Sequence, residues 1–210
     1  MIVTISREYG AAGLAVADGT AAALGYELLT DDIPKTVAAR LGTSSDEVKT
    51  RATNEPSLGE RILRGLSAGT AESVSPATPR LPGDFDESVR REIERTIRER
   101  AACGDVVILG RNAGALLGLR PDVLRVFLQG NRAWRIARLV EAFGISPQEA
   151  RADVERIDAG RKSFAQDRYN LRFGHAREYD LIVDVSRVGI AGAIGVVVAA
   201  ARGLAEASPQ

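Results

Sequence analysis

Three short stretches of this 210-residue chain carry residue types and spacings suited to phosphate chemistry. The first is Ser6-Arg7-Glu8-Tyr9-Gly10-Ala11-Ala12-Gly13, which follows the apolar run Ile2–Ile5. A turn of small residues between a strand and a helix presents backbone N–H groups, and the positive end of the helix, to an anion. A strict phosphate loop reads G-x-x-x-x-G-K-[ST]. Here Gly13 matches the second glycine, while Glu8 stands in the place of the first, Leu14 in that of the lysine and Ala15 in that of the hydroxyl. A tight turn needed only for packing accounts for the same residues equally well.

The second stretch, Gly110-Arg111-Asn112-Ala113-Gly114, directly follows the apolar run Val106–Leu109. Ligands of open α/β sheets gather beyond the carboxyl ends of strands. An arginine flanked there by glycines can approach a phosphate closely and grip it with two N–H groups. The alternative is a helix-capping turn whose arginine lies on the surface. The third stretch is Asp158-Ala159-Gly160-Arg161-Lys162, continuing to Phe164, Arg168, Tyr169 and Arg172. On one helix, Arg161, Phe164 and Arg168 share a face, which would aim two guanidinium groups at one spot while Asp158 pairs with Arg161 or Lys162. By spacing alone a solvated, charge-laced helix fits as well. Arg132, Arg135 and Arg138 read as an exposed helix face, with at most one of them touching a base or phosphate. His175 has no metal-ligand spacing around it, and Cys103 reads as structural.

These stretches need elements to hold them. The runs Ile2–Ile5, Val106–Leu109, Val123–Leu128 and Leu181–Val185 predict buried strands, and Tyr26–Leu29 a weaker fifth. Their continuous apolar character fits a parallel sheet covered on both faces. Helices are predicted over Leu14–Leu24, closing at Gly25, and over Glu87–Ala102, with Glu87/Arg91 and Glu94/Arg98 at helical spacing. A further helix spans Asn131–Phe143, capped by Asn131 and ended by Gly144. Ser146-Pro147-Gln148-Glu149 opens the next one as a capping box. Val188–Arg202 completes the set, with Gly189, Gly192 and Gly195 read as allowing close approach to the sheet. Alternation of this kind means an α/β three-layer sandwich around a mainly parallel five-stranded sheet. One domain over residues 1–205 is expected, with a helical excursion over 31–100, a lid over 146–177 and a tail over 206–210. Thr53–Phe85, dense in Gly, Ser and Pro, reads as an excursion from the core.

Composition narrows the partners. The 28 basic and 28 acidic residues balance, which argues against reliance on a nucleic-acid backbone. Lys35, Lys49 and Lys162 are the only lysines, so twenty-five of the basic residues are arginine. Codon bias explains most of that excess, although arginine is also the better fork for carboxylate and phosphate. A single cysteine allows no internal disulfide. The apolar run Val188–Ala201 is about 14 residues, short of the roughly 20 that span a bilayer. No signal peptide is apparent at the start of the chain. The expected location is cytoplasmic, with neither nucleic acid nor membrane as a partner. A homodimer is compatible with the chain.

Taken together, Val3-Thr4-Ile5-Ser6-Arg7-Glu8-Tyr9-Gly10, the Gly110–Gly114 turn, the Asp158–Arg161 segment and Glu178-Tyr179-Asp180-Leu181 resemble the cytidylate kinase-like family. That family is related to the bacterial cytidylate kinases, which are P-loop nucleoside monophosphate kinases. The resemblance spans nearly the whole chain and implies an ATP-dependent phosphotransferase acting on a nucleoside monophosphate, with Mg²⁺ held mainly through ATP and no protein metal site. It implies that Gly10, Ala11, Ala12, Gly13 and Leu14 line the donor-phosphate turn, with Arg7 supplying charge from its other side. Arg111 would hold the acceptor phosphate, and Asn112 stands where cytidylate kinases have an Asp contacting the nucleoside. Arg161 and Arg168 would come from the lid to stabilise the transferring group. Leu14 has no charge where relatives carry Arg, and Thr30-Asp31-Asp32 does not reproduce the Asp-Ser-Gly substrate segment of true cytidylate kinases. A non-catalytic nucleotide-binding module and a small-molecule kinase with a non-nucleotide acceptor remain the alternatives.

Overall fold

A computed structural model describes residues 1–30, 32–44, 46, 48 and 84–207. Five strands, β1 (Ile2–Arg7), β2 (Glu27–Leu29), β3 (Val106–Leu109), β4 (Val123–Gln129) and β5 (Leu181–Asp184), form one sheet in the order β2-β3-β1-β4-β5. Every pairing is parallel, with Ile5 opposite Leu109 on one side of β1 and Val126 on the other. Parallel strands are covered on both faces, and side chains alternate between those faces. Val3, Ile5, Val107, Leu109, Val126 and Leu128 accordingly join one core, while Ile2, Val106, Ile108 and Val123 join the other.

The first face is covered by α1 (Gly13–Leu24) and α7 (Val185–Ala207), the second by α2 (Asp32–Leu41) and α3 (Asp84–Cys103). The five-residue α4 (Ala113–Leu117) follows β3, and α5 (Arg132–Phe143) and α6 (Pro147–Tyr169) follow β4. Helix ends are built as the residue types direct. Gly25 and Gly144 take left-handed conformations after α1 and α5. Asn131 Oδ1 accepts from the Ala133 and Trp134 amides at 2.9 and 3.4 Å. Ser146 and Glu149 close a reciprocal capping box on α6, with bonds of 2.8 and 3.2 Å.

Two details differ from the sequence expectations. β5 ends at Asp184, where Ser186 N–H and Oγ both bond to Asp184 Oδ1 and turn the chain into α7. That helix begins at Val185, is broken at Gly189 (φ 73°, ψ 170°) and runs through Glu206 to Ala207. Gly189 and Gly195 face open space, and a Cβ at Gly192 would meet only Val188 of its own helix. The close approach between helices is made instead by Gly19 of α1, where a Cβ would collide with Ile194. α7 is long and apolar enough by length and composition to cross a membrane, yet Ala193, Val197 and Ala201 pack it into the core on the sheet. The segment of Thr53–Phe85 that precedes Asp84 lies outside the described residues.

The chain leaves β1 toward β2 on one side, and leaves β4 toward β5 on the other. Such a reversal opens a crevice beyond the carboxyl ends of the strands, the usual place for a ligand in this architecture.

Candidate phosphate-transfer site

Three loops meet at that crevice, following β1, β3 and β4. After β1 the backbone passes through Gly10 (φ +81°) and Ala12 (φ +54°) before α1 begins at Gly13. Among the described residues no side chain caps α1, and its first turn holds no acidic residue. A helix N-terminus of this kind offers its first N–H groups and its dipole to an anion. The loop is packed too tightly for larger residues at its glycines. A Cβ at Gly10 would stand 3.0 Å from the Arg135 carbonyl, and one at Gly13 would stand 2.9 Å from Arg7 Cγ.

Arg7 therefore lies along the start of α1. Its guanidinium reaches the turn after β3, where a side chain at Gly110 would collide with Nη1. Gly110, Arg111 and Asn112 all adopt positive φ, at 79°, 56° and 49°. Two consecutive non-glycine residues in the left-handed region are unfavourable by roughly 1–2 kcal/mol each, and such strain clusters at functional turns. The turn is held to the sheet by Gly110 N–H donating to the Ile5 carbonyl at 2.8 Å. Arg7 thus joins the turn after β1 to the Arg111–Asn112 turn.

Helix α6 packs against the first loop. Arg161 Nη1 donates to the Arg7 carbonyl at 2.9 Å, and its guanidinium sits 5.7 Å from the Tyr9 ring centre. Tyr9 is buried with Leu139, Ala150, Val154 and Ile157, which ties the loop to both α5 and α6. Arg168 does not join Arg161. Two turns further along α6, its Nη2 lies 3.0 Å from both carboxylate oxygens of Glu87 on α3. The shared helical face thus serves two different partners, the loop and α3. Phe164, between them, remains largely exposed.

Beneath the loop is a charge cluster whose arrangement differs from the expectation. Arg135 is only 6% exposed, not part of an outer arginine face. Its guanidinium donates to the Tyr9 carbonyl at 2.9 Å, the Gly130 carbonyl at 3.0 Å and Asp158 Oδ2 at 2.7 Å. Asp158 pairs with Arg135 rather than Arg161 or Lys162, and its Oδ1 accepts the Tyr9 N–H at 2.8 Å. Glu8 accepts the Gly130 N–H at 3.0 Å and lies 3.4 Å from Arg135. The periodicity held a usable signal: Arg135 stands four residues before Leu139, on the inward face of α5. Of its neighbours, Arg132 pairs with Glu155, and Arg138 stacks 5.1 Å over Trp134.

At the far end of α6, Tyr169 donates its hydroxyl to Glu94 at 3.1 Å. Burial, and then the Glu94 carboxylate, push the phenol above its ordinary value, so it remains a donor. Arg90 bridges Glu87 and Glu94 on α3. The predicted Glu87/Arg91 and Glu94/Arg98 pairs are present at 3.4 and 3.6 Å. Both glutamates also bond to α6, a use that local spacing does not reveal. His175 Nδ1 accepts from the Arg177 amide at 3.3 Å and caps a short turn, and Cys103 is an exposed thiol. Among the described residues no group of three or more His, Cys, Asp or Glu side chains could hold a metal ion.

A five-stranded parallel sheet in this order, with an uncapped helix after β1 and an arginine-bearing helix over it, defines a P-loop kinase-type fold. Residues 2–187 match the model of the cytidylate kinase-like family, and the chain belongs to that family. It is 26% identical over 132 residues to a cytidylate kinase of Halobacterium salinarum, covering 62% of this chain and 67% of that one. It is 27% identical over 114 residues to a cytidylate kinase of Methanocaldococcus jannaschii, covering 53% of this chain and 64% of that relative. A solved structure of an uncharacterized protein from Eubacterium ventriosum superposes with a TM-score of 0.69 at 19% identity, covering 96% of this chain and 98% of that one. Shikimate kinase from Bacteroides thetaiotaomicron shares the fold with a TM-score of 0.50 at 14% identity, covering 98% of both chains.

Proposed function

We propose that the protein is an ATP-dependent phosphotransferase that moves the γ-phosphoryl group of ATP to a nucleoside monophosphate in the cytoplasm. The observation that carries this reading is that Arg7 and Arg161 both border the loop between β1 and the start of α1, Arg161 at the Arg7 carbonyl and the Arg7 side chain beside Gly13, with Arg7 reaching on to the Arg111 turn. Phosphoryl transfer asks little covalent chemistry of a protein; positioning and charge neutralisation carry the rate. The N–H groups around Gly10–Leu14 would take the donor phosphates, and Arg111 the acceptor phosphate. Asn112 would face the acceptor nucleoside. Mg²⁺ arriving on the nucleotide would neutralise its β and γ oxygens when bound. Arg161 and Arg168 would exchange their present partners, a backbone carbonyl and Glu87, for phosphate oxygens. The names of the two archaeal relatives support a nucleotide acceptor.

Leu14 favours a second reading, a nucleotide-binding module without turnover. It is 61% exposed in the first turn of α1, with no charge where a phosphate loop holds its lysine. The readings separate in one assay: ADP release from ATP across a panel of nucleoside monophosphates and small hydroxyl compounds. Turnover that disappears in Arg161→Ala supports the enzyme. Thermal stabilisation by ATP without turnover on any acceptor supports the binding module.

A further inference from the structure

The Arg135–Asp158 pair grips both polar groups of one peptide residue. Asp158 Oδ1 takes the Tyr9 N–H at 2.8 Å, Arg135 Nη1 gives to the Tyr9 carbonyl at 2.9 Å, and the two side chains bond to each other at 2.7 Å. Both are well buried, at 14% and 7% side-chain exposure. Tyr9 immediately precedes Gly10, the residue at which the loop turns into the left-handed region. Glu8 adds a third tie by holding the Gly130 N–H at the foot of α5.

These three residues come from three elements. Glu8 lies in the loop, Arg135 on α5 and Asp158 on α6, one helical turn before Arg161. A phosphate loop with lysine and hydroxyl draws its bound shape partly from its own side chains on the ligand. This loop has Leu14 and Ala15 at those positions, so its shape must come from outside. A buried charge pair that loses one member leaves the other uncompensated, so loss of either residue weakens the hold of the other on Tyr9.

We propose that Asp158 and Arg135 are positioning residues that give the loop its anion-binding shape only while α6 is docked, making lid docking and donor-phosphate binding one equilibrium. The proposal rests on the kinase-type reading of the loop. Donor ATP would bind weakly to any state in which the lid has lifted, because Tyr9 N–H would then lose Asp158 and Arg135 would lose the carboxylate that holds it against the Tyr9 carbonyl. Reciprocally, bound ATP would hold α6 down by the same factor, as linkage requires.

The test uses the full chain, with ATP–Mg²⁺ as probe. Asp158→Ala and Arg135→Met are each expected to weaken ATP binding at least tenfold, and the double variant to be no weaker than the poorer single. Hydrogen exchange is expected to show lost amide protection at Tyr9–Gly13 in both variants, with β1, β3 and β4 still protected. Asp158→Glu, which keeps the charge, should recover part of the affinity. Trp134, the sole tryptophan, sits over Gly130 beside Arg135, and its emission gives a second binding readout. Wild-type protein that binds no nucleoside triphosphate would sink the kinase reading and this proposal with it. Wild-type binding that persists in the variants, or additive losses in the double variant, would sink the proposal alone. Should Asp158→Ala not fold, Asp158→Asn, which keeps an acceptor for Tyr9 but sets a donor against Arg135, answers the same question.

Discussion

Arg168 Nη2 lies 3.0 Å from both carboxylate oxygens of Glu87, tying the end of α6 to α3. A guanidinium held this way is oriented but occupied, since any phosphate it serves must compete with Glu87. The neighbouring Tyr169–Glu94 bond keeps the helix end in place when the first contact opens. Glu87→Gln is therefore expected to lower the acceptor KM several-fold with little change in thermal stability. Steady-state kinetics beside a melting curve checks this. A raised KM would mean that Glu87 instead presents Arg168 to the substrate.

Arg111 permits a separation of strain from recognition. Alanine and glycine at this position both remove the guanidinium, but only glycine tolerates φ of 56° without penalty. Arg111→Gly is expected to be about 1 kcal/mol more stable than Arg111→Ala, while both lose acceptor affinity equally. Urea unfolding measures the first difference and acceptor KM the second.

The uncharged position in the loop makes a prediction in the opposite direction. Leu14 is exposed, so Leu14→Lys should cost no more than about 1 kcal/mol of stability, the ammonium standing at the positive end of α1. If donor phosphates sit at the start of α1, the added ammonium should raise kcat/KM roughly tenfold or more, and Arg7→Ala should lower it roughly a hundredfold. An inert Arg7→Ala with normal ATP binding would remove Arg7 from the site.

Asp180 and Arg125 lock β5 to β4 by a two-pronged contact, Nη2 to Oδ1 at 2.7 Å and Nε to Oδ2 at 3.1 Å. Partial burial works against the charged carboxylate, but the hydrogen bonds and charge of Arg125 outweigh it, and the Asp180 pKa falls below its ordinary value. A lowered folded-state pKa gives stability that is fully present above the unfolded value near ~3.9 and is lost as pH falls through the folded value. With the carboxylate about a third exposed, the pair is screened, and Asp180→Asn should cost about 1 kcal/mol at neutral pH. That difference should shrink below pH ~3.9, which unfolding curves between pH 2 and 7 would reveal.

The layout of strands and helices was legible because it follows from local regularities. Continuous apolar runs such as Val106–Leu109 specify strands buried on two faces, and Asn131, Ser146, Gly25 and Gly144 mark helix ends through chemistry confined to a single turn. The positions of Gly10, Gly13, Arg111 and Arg161 were legible for the same reason, as turns and charges at fixed offsets from those elements. Partners distant along the chain were not. Asp158 reaches Tyr9 across 149 residues, and Arg135 reaches it across 126. An arginine three residues from two others looks like one of a solvated row until the packing of α5 against α6 buries it. Periodicity likewise suggested that Gly189, Gly192 and Gly195 meet the sheet, when helix packing assigned the close contact to Gly19. The sequence by itself determined the α/β framework and the loops at its rim, because hydrophobic period and capping are short-range. Only the tertiary structure decided which charges meet, because a buried ion pair forms only where folding takes both partners out of water together.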